Sequence, residues 1–274
     1  MSVINTNIKS LIVQNAIKVN NRSMATAMEQ LSTGKRINSA KDDAAGLAIS
    51  ESMTSQIRGL DMAVRNANDG ISLAQTAEGA MIEISSMVQR MRELAVQAAS
   101  GTLSASQRDY LQLEFAALDD QIATTVSTTR WNGIPLLDGT LDVEIQVGPD
   151  ESASALVRIA VSEDMSALSI NTKTIAGADG STAQGVISDC DSALLEVNSA
   201  RASLGAVMNR LTSAANNLTN ISQNTSESRS RILDTDYAVV TAELARTQII
   251  QQASTAVLAQ ANAQPQTVLK LLQG

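Results

Sequence analysis

Two long stretches of this chain, from about Ala44 to Ala99 and from about Ala183 to Arg231, contain no proline and carry apolar residues at alternating spacings of three and four. In the first, Ile57, Leu60, Val64, Ala67, Ile71 and Ala74 hold the rhythm, and Ala77, Met81, Ile84, Val88, Met91 and Ala95 continue it. In the second, Leu204, Met208, Leu211, Ala215 and Leu218 repeat it. A 3.5-residue period places one narrow apolar stripe along a helix, and such a stripe is stable only against another helix. Two consecutive spacings of three, across Ile71, Ala74 and Ala77, mark a stammer that locally overwinds a coiled coil. Fifty-odd helical residues make a rod of roughly 80 Å. The two stretches come from opposite halves of the sequence and are expected to pack as an antiparallel or mixed bundle.

Composition supports a narrow core. Only four aromatic side chains (Tyr110, Phe115, Trp131, Tyr237) serve 274 residues, and three prolines interrupt them, so a thick globular interior filled by rings is not expected. Lys and Arg number 20 against 28 Asp and Glu, a net charge of -8 without a basic run, which disfavours nucleic acid as a partner. No apolar run approaches the roughly 20 residues of a spanning helix. Met1 to Asn7 lacks the charged and apolar regions of a cleaved secretory signal. Histidine is absent and Cys190 is the only cysteine. That leaves no Ser-His-Asp or Cys-His arrangement, no zinc cluster and no intrachain disulfide. The chain is not expected to be an enzyme or to hold a cofactor or metal. Cys190 falls on the seam Ile187, Cys190, Leu194, Val197 and reads as a small buried hydrophobe.

The two ends are weakly amphipathic. Ile4, Ile8, Leu11, Ile12, Ala16 and Val19 recur among Asn, Gln, Lys and Ser over residues 3–31. Tyr237, Val240, Leu244, Ile250, Val257, Leu258 and Ala261, followed by Leu269 and Leu272, do the same over residues 234–272. Seams this thin do not hold an isolated helix in water, because nucleation is costly and tertiary packing normally supplies the stability. The ends therefore need each other, or other copies of the chain.

Between these elements, Gly34 in Leu31-Ser-Thr-Gly-Lys-Arg36 reads as a left-handed C-cap. Ser39 reads as the N-cap of the next helix, with Asp42 and Asp43 in its first turn. Ser100 to Ser104 breaks the long helix, and Ser106 to about Thr128 is expected to be a shorter one with Tyr110, Leu113, Ala117 and Ile122 inward. Arg130 to Pro135 reads as a turn anchored by Trp131. Leu141, Val143, Ile145 and Val147 alternate with Asp142, Glu144 and Gln146, and Val157, Ile159 and Val161 with Arg158 and Ala160, with Gly148-Pro-Asp150 between them, a β-hairpin pattern. Residues 165–183 read as a polar loop. The fold class expected is mainly α: a long coiled-coil helical rod built from both chain termini, with a small β-hairpin at about 140–162.

Particular segments carry a family resemblance. Ile4-Asn-Thr-Asn7, Leu31 through Gly46, Gln89-Arg-Met-Arg-Glu-Leu-Ala-Val-Gln97, Arg231-Ile-Leu-Asp-Thr-Asp-Tyr237 and Val257-Leu-Ala-Gln-Ala-Asn262 closely resemble bacterial flagellin, over about residues 1–140 and 184–274. The resemblance implies a structural subunit that polymerises, extracellularly, into the flagellar filament for swimming. It implies a terminal coiled-coil domain from residues 1–44 and 234–274, and a rod domain from 45–233. Large outer domains found in many flagellins have no room here. The polymerisation core implied comprises Ile4, Ile8, Leu11, Ile12, Val19, Tyr237, Val240, Leu244, Ile250, Val257, Leu258, Leu269 and Leu272. Export through a type III channel, a secretion chaperone at residues 234–274, and filament-cap and hook-junction partners are implied likewise.

In flagellins sensed by the vertebrate flagellin-recognising Toll-like receptor, the matching contact residues here are Gln89, Arg90, Leu94 and Glu114; Leu118 stands where many sensed members have arginine. Arg90, Arg92 and Glu93 also fit a solvated or inter-subunit polar face. A hook-filament junction protein and a non-flagellar coiled-coil scaffold are the alternatives. The first departs from this sequence across Ser39 to Gly46 and Leu258 to Asn262, and the second predicts a stable dimer without fibres.

Overall fold

A computed structural model describes residues 6–150, 155–168 and 170–273, the side chains of 265–273 excepted. In chain order they form α1 (Ile8–Thr33), α2 (Ala44–Ala98), α3 (Ala105–Thr128), β1 (Arg130–Trp131), β2 (Ile134–Pro135), β3 (Leu141–Gln146), β4 (Leu156–Val161), a 3-10 turn at Met165–Ala167, α4 (Ser181–Leu233) and α5 (Tyr237–Gln273). The chain divides into two compact units, one of residues 1–55 with 224–274 and the other of residues 56–223.

In the unit of residues 56–223, α2 and α4 run antiparallel. Asp61 accepts from Ser222, Glu78 lies beside Arg201 and Arg92 donates to Asp191, so sequence number falls along α4 as it rises along α2. The expected heptads form the seam: Leu60, Ala67, Ala74, Ala77, Met81, Ile84, Val88, Met91 and Ala95 are buried on α2, facing a core that includes Leu204, Leu211, Ala215 and Leu218 of α4. Both alanines of the stammer are buried without a break in the helix. Small residues at these positions bring the helices close and leave a thin interior. Cys190 is fully buried in it, and desolvation pushes its thiol up to about 11.

Helix α3 returns antiparallel to α2 after a break at residues 99–104. Ser104 caps it through a reciprocal capping box with Gln107. The face turned inward differs from the one expected. Arg108, Phe115, Ile122 and Val126 are buried, with Leu111 and Leu118 half-buried, while Tyr110 and Leu113 are 72% and 68% exposed and Ala117 is exposed too. The true stripe (108, 111, 115, 118, 122) alternates threes and fours, whereas 110, 113, 117 and 122 end on a five that no helix face sustains.

Beyond α3, Arg130–Pro135 is itself a tight hairpin. Asn132 and Gly133 both take positive φ (49° and 84°), the geometry that favours Asn-Gly in a two-residue connection. Strands β3 and β4 pair antiparallel in the register Leu141↔Val161, Val143↔Ile159, Ile145↔Val157. Leu141, Val157, Ile159 and Val161 are buried. The hairpin closes on the helices at Gly70, where an added Cβ would lie 3.1 Å from Ile145 Cγ1 and 3.2 Å from Leu211 Cδ1. Residues 165–183 are less polar in place than in sequence, since Met165, Leu168, Ile170 and Ile175 are buried and complete this core.

Candidate functional site

In the unit of residues 1–55 and 224–274, α1 and α5 pair along their length. The chain reverses at residues 34–36: Gly34 takes φ 69° and its carbonyl accepts from the Thr235 amide, while the Arg36 amide donates to the Leu233 carbonyl and its guanidinium to Ile232. Glycine is required there because a Cβ would add left-handed strain 3.0 Å from the Tyr237 hydroxyl. Ser39 does not cap α2. Asp42 instead accepts from the Asn38 and Ser39 amides and the Ser39 hydroxyl, closing a turn, and Asp43 accepts from the Gly46 amide at the helix start. The N-cap of α1 is Asn7, whose oxygen accepts from the Ser10 amide and whose Nδ2 donates to the Ala261 carbonyl of α5.

The seam between α1 and α5 takes only part of the expected set of large apolar residues, Val240, Leu244 and Leu258. It consists of Ser10, Val13, Ile17, Asn20, Met24, Ala27 and Leu31 on α1, and of Val240, Leu244, Thr247, Gln251, Ser254, Leu258 and Ala261 on α5, all buried or half-buried at strict alternating spacing. Ile8, Leu11, Ile12 and Val19 lie outside that seam, Ile12 with 64% of its surface exposed, as do Tyr237, Ile250 and Val257. Ile4, Leu269 and Leu272 lie outside the residues whose side chains are described. An apolar groove of about 370 Å³ runs between the helices, lined by Ile12, Val13, Val257 and Ala261 among others. Exposed aliphatics on this scale, beside a seam in which large apolar residues alternate with small and polar ones, leave the unit short of buried apolar surface.

The second candidate surface lies in the other unit. The Arg90 guanidinium bridges two carboxylates, with Nη1 2.9 Å from Glu93 and Nε 2.9 Å from Glu114. Hydrogen bonds to Glu93, then to Glu114, raise its pKa above the ordinary arginine value. All three side chains are exposed, so the network holds shape more than it stabilises. Gln89 is exposed beside them, but Leu94 is 1% exposed and sits in the core. The structure thus joins Arg90 to Glu114 and removes Leu94 from any contact surface.

Sequence reasoning overlooked Arg108. It is 2% exposed and donates to the carbonyls of Ala98, Ser100 and Ala178 at 2.8, 3.0 and 3.1 Å. The guanidinium satisfies carbonyls left open by the end of α2, where the helix dipole favours a cation. Its place on the α3 stripe, seven residues before Phe115, was the available signal. Among the described residues no group of carboxylates and cysteine is placed to hold a metal, and no helix is long and apolar enough to cross a membrane.

A helical unit made from both chain ends, with aliphatic rows uncovered, defines a subunit class whose folded form invites further copies. Similarity assigns the class. The family descriptions "bacterial flagellin N-terminal helical region" and "bacterial flagellin C-terminal helical region" match residues 4–142 and 187–272. The flagellin of Halalkalibacterium halodurans is 45% identical over 99% of this chain and 100% of its own length. That of Bacillus subtilis is 42% identical over 98% of this chain and 99% of its own. A solved putative flagellar hook-associated protein from Vibrio parahaemolyticus shares the fold at a TM-score of 0.59, with 14% identity, covering 70% of this chain and all of its own. The chain belongs to the bacterial flagellin family and is a structural, non-enzymatic subunit of the extracellular flagellar filament.

Proposed function

We propose that residues 1–44 and 234–274 form the core of the filament and residues 45–233 its surrounding rod. The observation that carries this is the uncovered set Ile8, Leu11, Ile12 and Val19 on α1 and Ile250 and Val257 on α5, with Tyr237 exposed at the Gly34 end. Apolar side chains that the chain itself does not bury gain their burial from neighbouring copies, in a contact that repeats without closing and so builds a helix. Negative-stain electron microscopy of seeded monomer tests it. Leu11→Asp with Ile12→Asp abolishes fibres while leaving the thermal transition of the 56–223 unit in place; normal fibres from that variant would remove the assignment.

The monomer is also read, in this proposal, by the flagellin-sensing Toll-like receptor at Gln89, Arg90 and Glu114. Support comes from the motif resemblance and from the exposed Arg90–Glu114 pair. Leu94 acts only by supporting that helix face from beneath. Arg90→Ala with Glu114→Ala lowers receptor activation by purified monomer with the helical content unchanged; undiminished potency rejects the assignment.

Export in an unfolded state through the flagellar type III channel, with a secretion chaperone on residues 234–274, completes the proposal, as do cap and hook-junction proteins at the filament ends. The polar residues Ser10, Asn20 and Thr247 within the α1–α5 seam support it, because a weakly held pair of helices opens readily. Co-purification of the chaperone with a chain ending at residue 233 would reject the chaperone site.

A further inference from the structure

The α1–α5 seam contains a feature that polymerisation by apolar contact does not require. Three of its buried positions are polar: Ser10, Asn20 and Thr247 are 6%, 7% and 1% exposed. The Asn20 amide uses its two protons in two directions across the seam, to the Thr247 carbonyl at 2.9 Å and to Gln251 Oε1 at 3.3 Å. Ile17 and Met24 are the neighbouring layers of α1, about 4.5 and 6 Å away by helix rise, so the amide is set within otherwise interchangeable small and aliphatic layers. Nearer the end of α1, the Ser10 hydroxyl donates to Asn262 Oδ1 at 2.9 Å.

Aliphatic and alanine layers tolerate displacement by one heptad, since each layer resembles the next. The bond from Asn20 to Gln251 does not, because a buried donor left without its acceptor carries its desolvation penalty, whereas the bond to the Thr247 backbone carbonyl can be remade to the carbonyl of Val240 or Ser254. Displacing α5 by seven residues would place Leu244 or Leu258 where Gln251 stands. Neither offers a side-chain acceptor. One of the two displacements also exchanges Asn262 for Thr255 opposite Ser10. We infer that Asn20, with the Gln251 side chain, fixes the register of α1 against α5 and thereby aligns the two exposed apolar rows as one assembly surface. A single buried asparagine sets alignment in helical seams at a cost in stability. The inference rests on the reading of this unit as the filament core.

The test uses nitroxide labels at Lys18→Cys and Gln252→Cys, both exposed positions, in full chains diluted into fibres of unlabelled protein; the buried Cys190 thiol stays unreacted. Dipolar spectroscopy then reads the α1–α5 distance. The otherwise unaltered chain gives one sharp distance, and Asn20→Leu adds a second, longer-distance population from chains slipped by one heptad, about 10 Å along the helix axis. A single unchanged distance in Asn20→Leu overturns the register role, whereas unaltered chains that form no fibres overturn the core assignment instead. If Asn20→Leu fails to enter fibres, a second pair decides. Asn20→Asp, which keeps the shape and loses the donor, lowers fibre yield severalfold, and Gln251→Arg in the same chain restores it by supplying a donor. Undiminished yield from Asn20→Asp, or no restoration, overturns the proposal.

Discussion

Arg108 is the residue on which most of its surroundings depend. Three carbonyls at the end of α2 and in the segment before α4 converge on one buried guanidinium, with no carboxylate among its hydrogen-bond acceptors in the described residues. Arg108→Ala leaves those carbonyls short of a donor and costs about 3 kcal/mol, within the range for bonds to a charged group; Arg108→Lys recovers little, because an ammonium lacks the planar fork. Urea unfolding of the 56–223 unit measures both. Cys190 makes a quieter prediction. Burial raises its folded pKa from 9.0 to about 11, so folding favours the protonated thiol. Its contribution is complete below pH 9 and is lost as pH rises toward 11. Thiol reagents should therefore leave the folded chain unmodified at neutral pH and label it once denatured, and Cys190→Ala should flatten the alkaline limb of stability.

At the scale of elements, α3 separates what a seam buries from what it exposes. Phe115 is 1% exposed and Tyr110 largely free, so Phe115→Ala is expected to destabilise by about 3 to 5 kcal/mol, while Tyr110→Ser changes stability by less than about 0.5 kcal/mol. Thermal unfolding of the two variants distinguishes this face from the one built on Tyr110 and Leu113. The contrast also shows how far the sequence could be read. The long seams of α2 and α4 were legible because many turns of consistent spacing outvote any single residue, and the β3–β4 hairpin because alternation and its turn agreed. The α3 face was misread because Tyr110 and Leu113 look like core residues, and a buried arginine looks like a solvated one. In the terminal unit, the spacing of Leu11, Ile12 and Val257 left open whether the other end or other copies cover them, and the seam joins Val240, Leu244 and Leu258 of the expected set to Ser10, Asn20, Ala27 and Thr247. Residue size identified apolar rows there, but not which helix face another part of the same chain would cover.

For the whole molecule, charge is divided as unevenly as burial. Residues 1–55 and 224–274 carry ten basic and eight acidic side chains, whereas residues 56–223 carry ten basic and twenty acidic. In the proposed filament, copies that gather through their nearly balanced terminal units bring strongly acidic units together, and that repulsion is screened by salt. Fibre growth followed by light scattering is expected to accelerate as sodium chloride rises from about 0.01 M to about 0.15 M, where the screening length falls from ~30 Å to ~8 Å. Substituting several acidic residues of the 56–223 unit by their amides should weaken that dependence. The central claim is that the terminal unit leaves its aliphatic rows for neighbouring copies. Cryo-electron microscopy of fibres grown from the unaltered chain tests it most directly. The account predicts Ile8, Leu11, Ile12, Val19 and Val257 buried against other subunits, with the α1–α5 seam intact within each; fibres in which those side chains face solvent would contradict it.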